Sequence, residues 1–91
     1  MIRWSEDKDQ WLRANRGISF QEIASHILAS DLLDLIENPA RKEQQAFVVR
    51  SGGYVWVVPF VLENDNSIFL KTAYPSRKMN KRYGGKHEKK D

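Results

Sequence analysis

Residues 54–62 read Tyr-Val-Trp-Val-Val-Pro-Phe-Val-Leu, nine positions without one charged side chain. Aromatic and β-branched residues at this density favour a strand, because they pack well on a pleated surface. In a strand, Tyr54, Trp56, Val58, Phe60 and Leu62 share one face, and Val55, Val57, Pro59 and Val61 share the other. A strand with one wet face alternates apolar with polar residues, and this one does not. Both faces of its sheet must therefore be covered. A chain of 91 residues has room for one small core and no second domain. Helices can cover one face, and for the other there are two candidates. Either the sheet closes over the chain's own C-terminal segment, or the face is a groove for a partner protein, as large exposed apolar patches usually are. Pro59 adds a constraint. It has no N–H for a ladder, which predicts a bulge there or an edge position.

The elements around this strand follow from shorter signals. Ile2-Arg3-Trp4 is extended. Ser5 is an N-cap, with Glu6 and Asp7 at the positive end of a helix predicted over about 6–15 and stopped by Gly17. Trp11 and Leu12 form its apolar stripe. Ser19 and Glu22 make a capping box, Ile18 and Ile23 a hydrophobic staple, and Phe20, Ile23, Ala24, Ile27 and Leu28 recur at helical spacing, so a second helix is predicted over about 20–29. Strands are expected at Leu32–Glu37, Ala46–Arg50, Tyr54–Leu62 and about Ile68–Tyr74. They are separated by Asn38-Pro39, Gly52-Gly53 and Glu63-Asn64-Asp65-Asn66. The order implies an α+β fold with two N-terminal helices on one face of a mainly antiparallel four-stranded sheet. Residues 1–83 form one domain in this reading, and residues 84–91 a basic tail expected to be flexible.

Charge is distributed unevenly. Residues 71–91 carry eight Lys and Arg against Glu88 and Asp91, net +6, whereas residues 1–70 are net −3. A basic end on a mildly acidic body points to a polyanionic partner, and Tyr74 and Tyr83 among the cations favour nucleic acid. The chain has no cysteine, no apolar run of membrane-spanning length and no secretory start, so a cytoplasmic protein without membrane contact is expected.

Several chemistries drop out. His26 and His87 are the two histidines, one off the apolar stripe of its helix and one in the tail, which disfavours a histidine acid–base pair or a histidine-rich metal site. No glycine-rich loop opens a helix, and no nucleophile elbow is present. What remains is Lys, Arg and Tyr. If Gly52-Gly53 is a two-residue loop, Arg50 pairs with Val55. If residues 63–66 form the next turn, Leu62 pairs with Ser67, Val55 with Tyr74 and Val57 with Thr72. Arg50, Thr72 and Tyr74 then lie side by side, while Trp56, Phe60, Phe69 and the stem of Lys71 face the helices. Such a cluster suits RNA cleavage by the 2′-hydroxyl. An arginine holds the scissile phosphate, and a tyrosine or lysine of lowered pKa relays protons. An amphipathic Tyr and Arg at a strand end more often cap a sheet than catalyse.

The pattern Ile2-x-Trp4-x-x-x-Lys8, followed by Arg16-Gly17-Ile18-Ser19-Phe20-x-Glu22, resembles the start of BrnT-type toxins of type II toxin–antitoxin pairs, within the RelE-like group of RNA-cleaving proteins. Leu70-Lys71-Thr72-Ala73-Tyr74-Pro75-Ser76-Arg77-Lys78 is similar to that group's last strand and basic segment. The order of elements matches over about residues 2–83. In BrnT-type sequences an Asn commonly stands at Leu12 and a His at Arg16, and the last strand often reads Ser-Ala-Arg where this chain has Thr72-Ala73-Tyr74. The family's site is thus not reproduced intact, which makes the chain a divergent branch or one whose catalytic group has moved to Tyr74 and Arg77. The resemblance implies a RelE-like fold, a metal- and cofactor-independent endoribonuclease that blocks translation, RNA as substrate (free or on the ribosome) and an antitoxin protein as partner. The catalytic candidates are Arg50, Lys71, Tyr74 and Arg77; the RNA-binding candidates are Lys8, Arg16, Lys78, Lys81, Arg82 and Tyr83. Two other readings stand beside it: a non-catalytic RNA- or ribosome-binding module, and an inert domain with a charged tail.

Overall fold

The computed structural model describes residues 1–29 and 31–84. The basic tail beyond them, with Lys86, Lys89 and Lys90, lies outside the described residues. The chain runs β1 (Ile2–Trp4), α1 (Glu6–Arg16), α2 (Phe20–Leu28), β2 (Leu32–Glu37), β3 (Gln45–Ser51), β4 (Tyr54–Leu62), β5 (Ile68–Leu70), β6 (Tyr74–Pro75) and a short α3 (Arg77–Met79) that passes into one π-helical turn, Asn80–Gly84.

Both long helices begin as their caps dictate. Ser5 Oγ accepts the Lys8 amide, and Gly17 closes α1 in the left-handed region at φ 66°. Ser19 and Glu22 form the reciprocal capping box of α2. The corner between the helices is tied by Asp9. Its Oδ1 accepts the Phe20 amide at 2.7 Å, and its Oδ2 takes two donors of Arg13, at 3.0 and 3.1 Å.

The sheet has six strands rather than four, and it is mixed. The order is β1-β5-β4-β3-β2, with β6 beside β4, and β1 runs parallel to β5. Gly52 and Gly53, at φ 61° and 79°, make the two-residue turn that sets Arg50 opposite Val55, as expected. The next connection is one residue longer than expected. Glu63 donates to the Ser67 carbonyl, Asn66 takes φ 69°, and Leu62 meets Ile68 instead of Ser67. That slip moves Phe69 opposite Val61, to the face away from α1 and α2. Lys71 follows it, its ammonium 5.5 Å from the centre of the Phe69 ring. The helix-side placement of Phe69 and Lys71 is corrected accordingly.

The expected last strand also breaks in two. β5 pairs with β4 at residues 60–62 and β6 pairs at residues 56–57, while Lys71–Ala73 leave the ladder between them. Pro59 explains the place of the break. The Lys71 amide donates to the Pro59 carbonyl, so the proline nitrogen faces the same neighbouring strand and has no hydrogen to give it. β4 is thus a central strand, and its proline sits where its neighbour is interrupted.

Two cores lie back to back. On the helix side, Leu12, Ile18, Phe20 and Ile23 pack on Phe47, Val49, Val58, Phe60, Leu70 and Ala73. On the other side, Ala46, Val48, Val55 and Val57 are covered by Met79, with Tyr74 and Tyr83 against them. The second face of β4 is therefore closed by the chain's own C-terminal segment, and the partner groove envisaged there is occupied. Among the described residues no helix is long and apolar enough to cross a membrane.

Candidate functional site

The C-terminal segment is held to the sheet through Arg50, expected among the catalytic residues, and Tyr83, expected among the RNA-binding ones. Arg50, half-buried on β3, donates from a terminal guanidinium nitrogen to the Tyr83 carbonyl at 2.9 Å. The Tyr83 hydroxyl donates to Asp34 on β2. Met79 between them is buried, and Ser76 caps the short helix by accepting the Met79 amide at 3.1 Å. A turn of helix this short would not persist alone, because nucleation is costly; its order comes from these attachments.

Fixing that backbone fixes what it displays. Arg77, Lys78, Lys81 and Arg82 are all exposed, and among the described residues none of them forms an ion pair. Lys71 is exposed beside Phe69 on the same face of the sheet. Tyr74 lies opposite Val57 rather than Val55, and Thr72 is out of the ladder. Arg50 and Tyr74 therefore share a face, two residues apart along β4, but the expected triple of Arg50, Thr72 and Tyr74 is not assembled.

The phenols are poor bases. Burial pushes the Tyr74 hydroxyl above the usual tyrosine range, opposite to the lowered value that a base requires. Tyr83 is raised chiefly by its hydrogen bond to Asp34, and Asp34 is lowered chiefly by the same bond. At neutral pH both tyrosines are protonated donors. The Tyr83 proton is already committed to Asp34. Among the described residues the Tyr74 hydroxyl makes no hydrogen bond.

A second set of cations sits on α1. Lys8 Nζ lies 4.5 Å and Arg16 Cζ 4.9 Å from the centre of the Trp11 ring. Arg16 also reaches across to the Ala73 carbonyl at 2.6 Å, at the point where the chain crosses from one core to the other. Lys8 and Arg16 are expected RNA-binding residues, whereas Trp11 is expected in the apolar stripe of α1. The structure leaves Trp11 42% exposed while Leu12 beside it is fully buried. Its flanking by cations at i−3 and i+5 was the available signal. A hollow of about 580 Å³ between the end of α1 and α2 is lined by Arg13, Gly17 and Glu22 among others, and contains none of the expected site residues. The candidate site is a surface rather than a cavity. Among the described residues no three His, Asp or Glu side chains are grouped as metal ligands. No family profile, no curated protein and no solved structure matched the chain.

Proposed function

We propose that this protein acts on RNA as the toxin half of a type II toxin–antitoxin pair, with a RelE-like fold and endoribonuclease activity. The observation that carries the reading is the rigid display of Arg77, Lys78, Lys81 and Arg82 on a segment pinned by Met79, Tyr83 and Arg50. Cations on a fixed backbone neutralise phosphates without losing the conformational freedom that a loose tail would surrender on binding.

In the proposed reaction the RNA 2′-oxygen attacks the adjacent phosphorus, the bond from phosphorus to the 5′-oxygen breaks, and a 2′,3′-cyclic phosphate remains. The 2′-hydroxyl proton passes to a base, and the departing 5′-oxygen receives one from an acid. Arg77 holds the phosphate as its negative charge grows, with Lys71 as a second cation. Tyr74, protonated at neutral pH, fits the donor's part. Arg50 is a positioning residue that keeps Arg77 in place through the Tyr83 carbonyl. An antitoxin would mask these cations.

A second reading, RNA or ribosome binding without cleavage, is favoured by one specific observation: Arg50 and Tyr83, both on the basic face, are spent on structure. Induced expression separates the two from an inert domain. Growth arrest with loss of messenger RNA, relieved by Arg77→Ala, is expected. Arrest with intact message favours the binding module, and normal growth at high soluble yield contradicts both.

A further inference from the structure

We infer that Trp11 is a stacking seat for an unpaired nucleobase, with Lys8 and Arg16 taking the phosphates on either side. The inference rests on the RNA reading and narrows its substrate to single strands.

Trp11 stands on the outside of α1 while its neighbour Leu12 is wholly in the core, so the indole is not needed to close the helix against the sheet. Both nearby cations lie over its ring. They differ in what else holds them. Arg16 is anchored by the Ala73 carbonyl, a bond that uses one of its five N–H donors and leaves the others for an anion. Lys8 makes no ion pair among the described residues, so its ammonium rests on the ring and can be displaced from it.

An incoming base exchanges with that ammonium. The base stacks on the indole, and the freed amine, on its flexible stem, follows to the adjoining phosphate. A duplex cannot use this seat. Its bases are stacked on each other and offer only their edges, whereas an indole needs a free face.

The test measures affinity for a short single-stranded RNA, methylated at each 2′-oxygen so that it cannot be cleaved, and for a duplex of equal length at one salt concentration. The wild-type protein should prefer the single strand. Trp11→Ala should weaken single-strand binding by about tenfold to a hundredfold and leave duplex binding unchanged, with Trp11→Phe retaining most of the affinity. Lys8→Ala should instead lower the slope of log affinity against log salt by about one, while Trp11→Ala leaves that slope unaltered. A second readout does not depend on the alanine variant: single-stranded RNA should quench the intrinsic fluorescence of the wild-type protein but not that of Trp11→Phe. Equal wild-type affinity for both RNAs, undiminished single-strand binding by Trp11→Ala, or a quench that survives Trp11→Phe each overturns the inference and leaves the RNA reading standing. No binding of either RNA overturns both. A Trp11→Ala protein that keeps its RNA affinity but loses its antitoxin assigns the indole to protein contact and overturns the inference.

Discussion

Asp9 is buried to 4% exposure, yet neither carboxylate oxygen is idle: one holds the Phe20 amide and the other the Arg13 guanidinium. Asp9→Ala leaves the amide at the start of α2 without its acceptor, a loss of about 1–3 kcal/mol. Urea unfolding should show the midpoint falling with no change in slope; an unchanged midpoint would mean that water replaces the carboxylate at no cost. The pair Tyr83 and Asp34 makes a different kind of claim. Asp34 titrates below its unfolded value, so its contribution is present above the ordinary carboxylate range and is lost as pH falls through the depressed value. Tyr83 titrates above its unfolded value, so its contribution is complete below about pH 10 and is lost as pH rises through the raised value. Tyr83→Phe should therefore be less stable than wild type across the neutral range, with the gap closing at both extremes. Thermal unfolding over a pH series checks this, and a gap independent of pH would contradict it. The Asp9–Arg13 pair is local, four residues apart on α1, but nothing in the local sequence marks the bond from Asp9 to the Phe20 amide or from Asp34 to Tyr83, because those partners are brought near by the fold.

At the scale of elements, the strongest local signals were legible. The Ser19–Glu22 box, the αL glycine at position 17 and the Gly52-Gly53 turn each fix backbone geometry within a few residues, and all three appear where the sequence places them. The strand expected over residues 68–74 was not legible as two pieces. Its interruption depends on the missing N–H of Pro59 across the sheet, a non-local fact that hydropathy cannot carry. The same limit hid α3 and the π-helical turn, whose order comes from tertiary attachment rather than from propensity. Met79→Ala tests that dependence. Removing a buried methionine costs roughly 2–5 kcal/mol in a closed core, and the lower end applies where the covering is a single segment. Amide exchange should accelerate over residues 77–83 while β3 and β4 stay protected. Uniform acceleration across the sheet would show that the segment and the sheet unfold as one unit.

For the whole molecule, the doubly apolar β4 is the organising fact. It obliges two coverings, and the chain supplies both: α1 and α2 on one face, the C-terminal segment on the other. The second covering links folding to the candidate function, because the residues that close the core are interleaved with the cations that face solvent. The sequence showed which residue types were available (Lys71, Tyr74, Arg77 and the basic run after them) but not how they divide between the two tasks. Arg50 and Tyr83 went to structure, and Trp11 came out to the surface. That division depends on register: the longer connection between Leu62 and Ile68 moved Phe69 and Lys71 to the opposite face, and a second shift across the break at Lys71–Ala73 left Tyr74 on the expected one. The proposed ribonuclease activity is most directly tested by incubating excess purified protein with a single-stranded RNA in the presence of a metal chelator and analysing the ends. Expected are fragments with 2′,3′-cyclic phosphate and 5′-hydroxyl termini, formed on the order of 10²–10³ times more slowly by a folded Arg77→Ala protein. RNA bound tightly but left intact under those conditions would contradict the enzyme and leave the binding module.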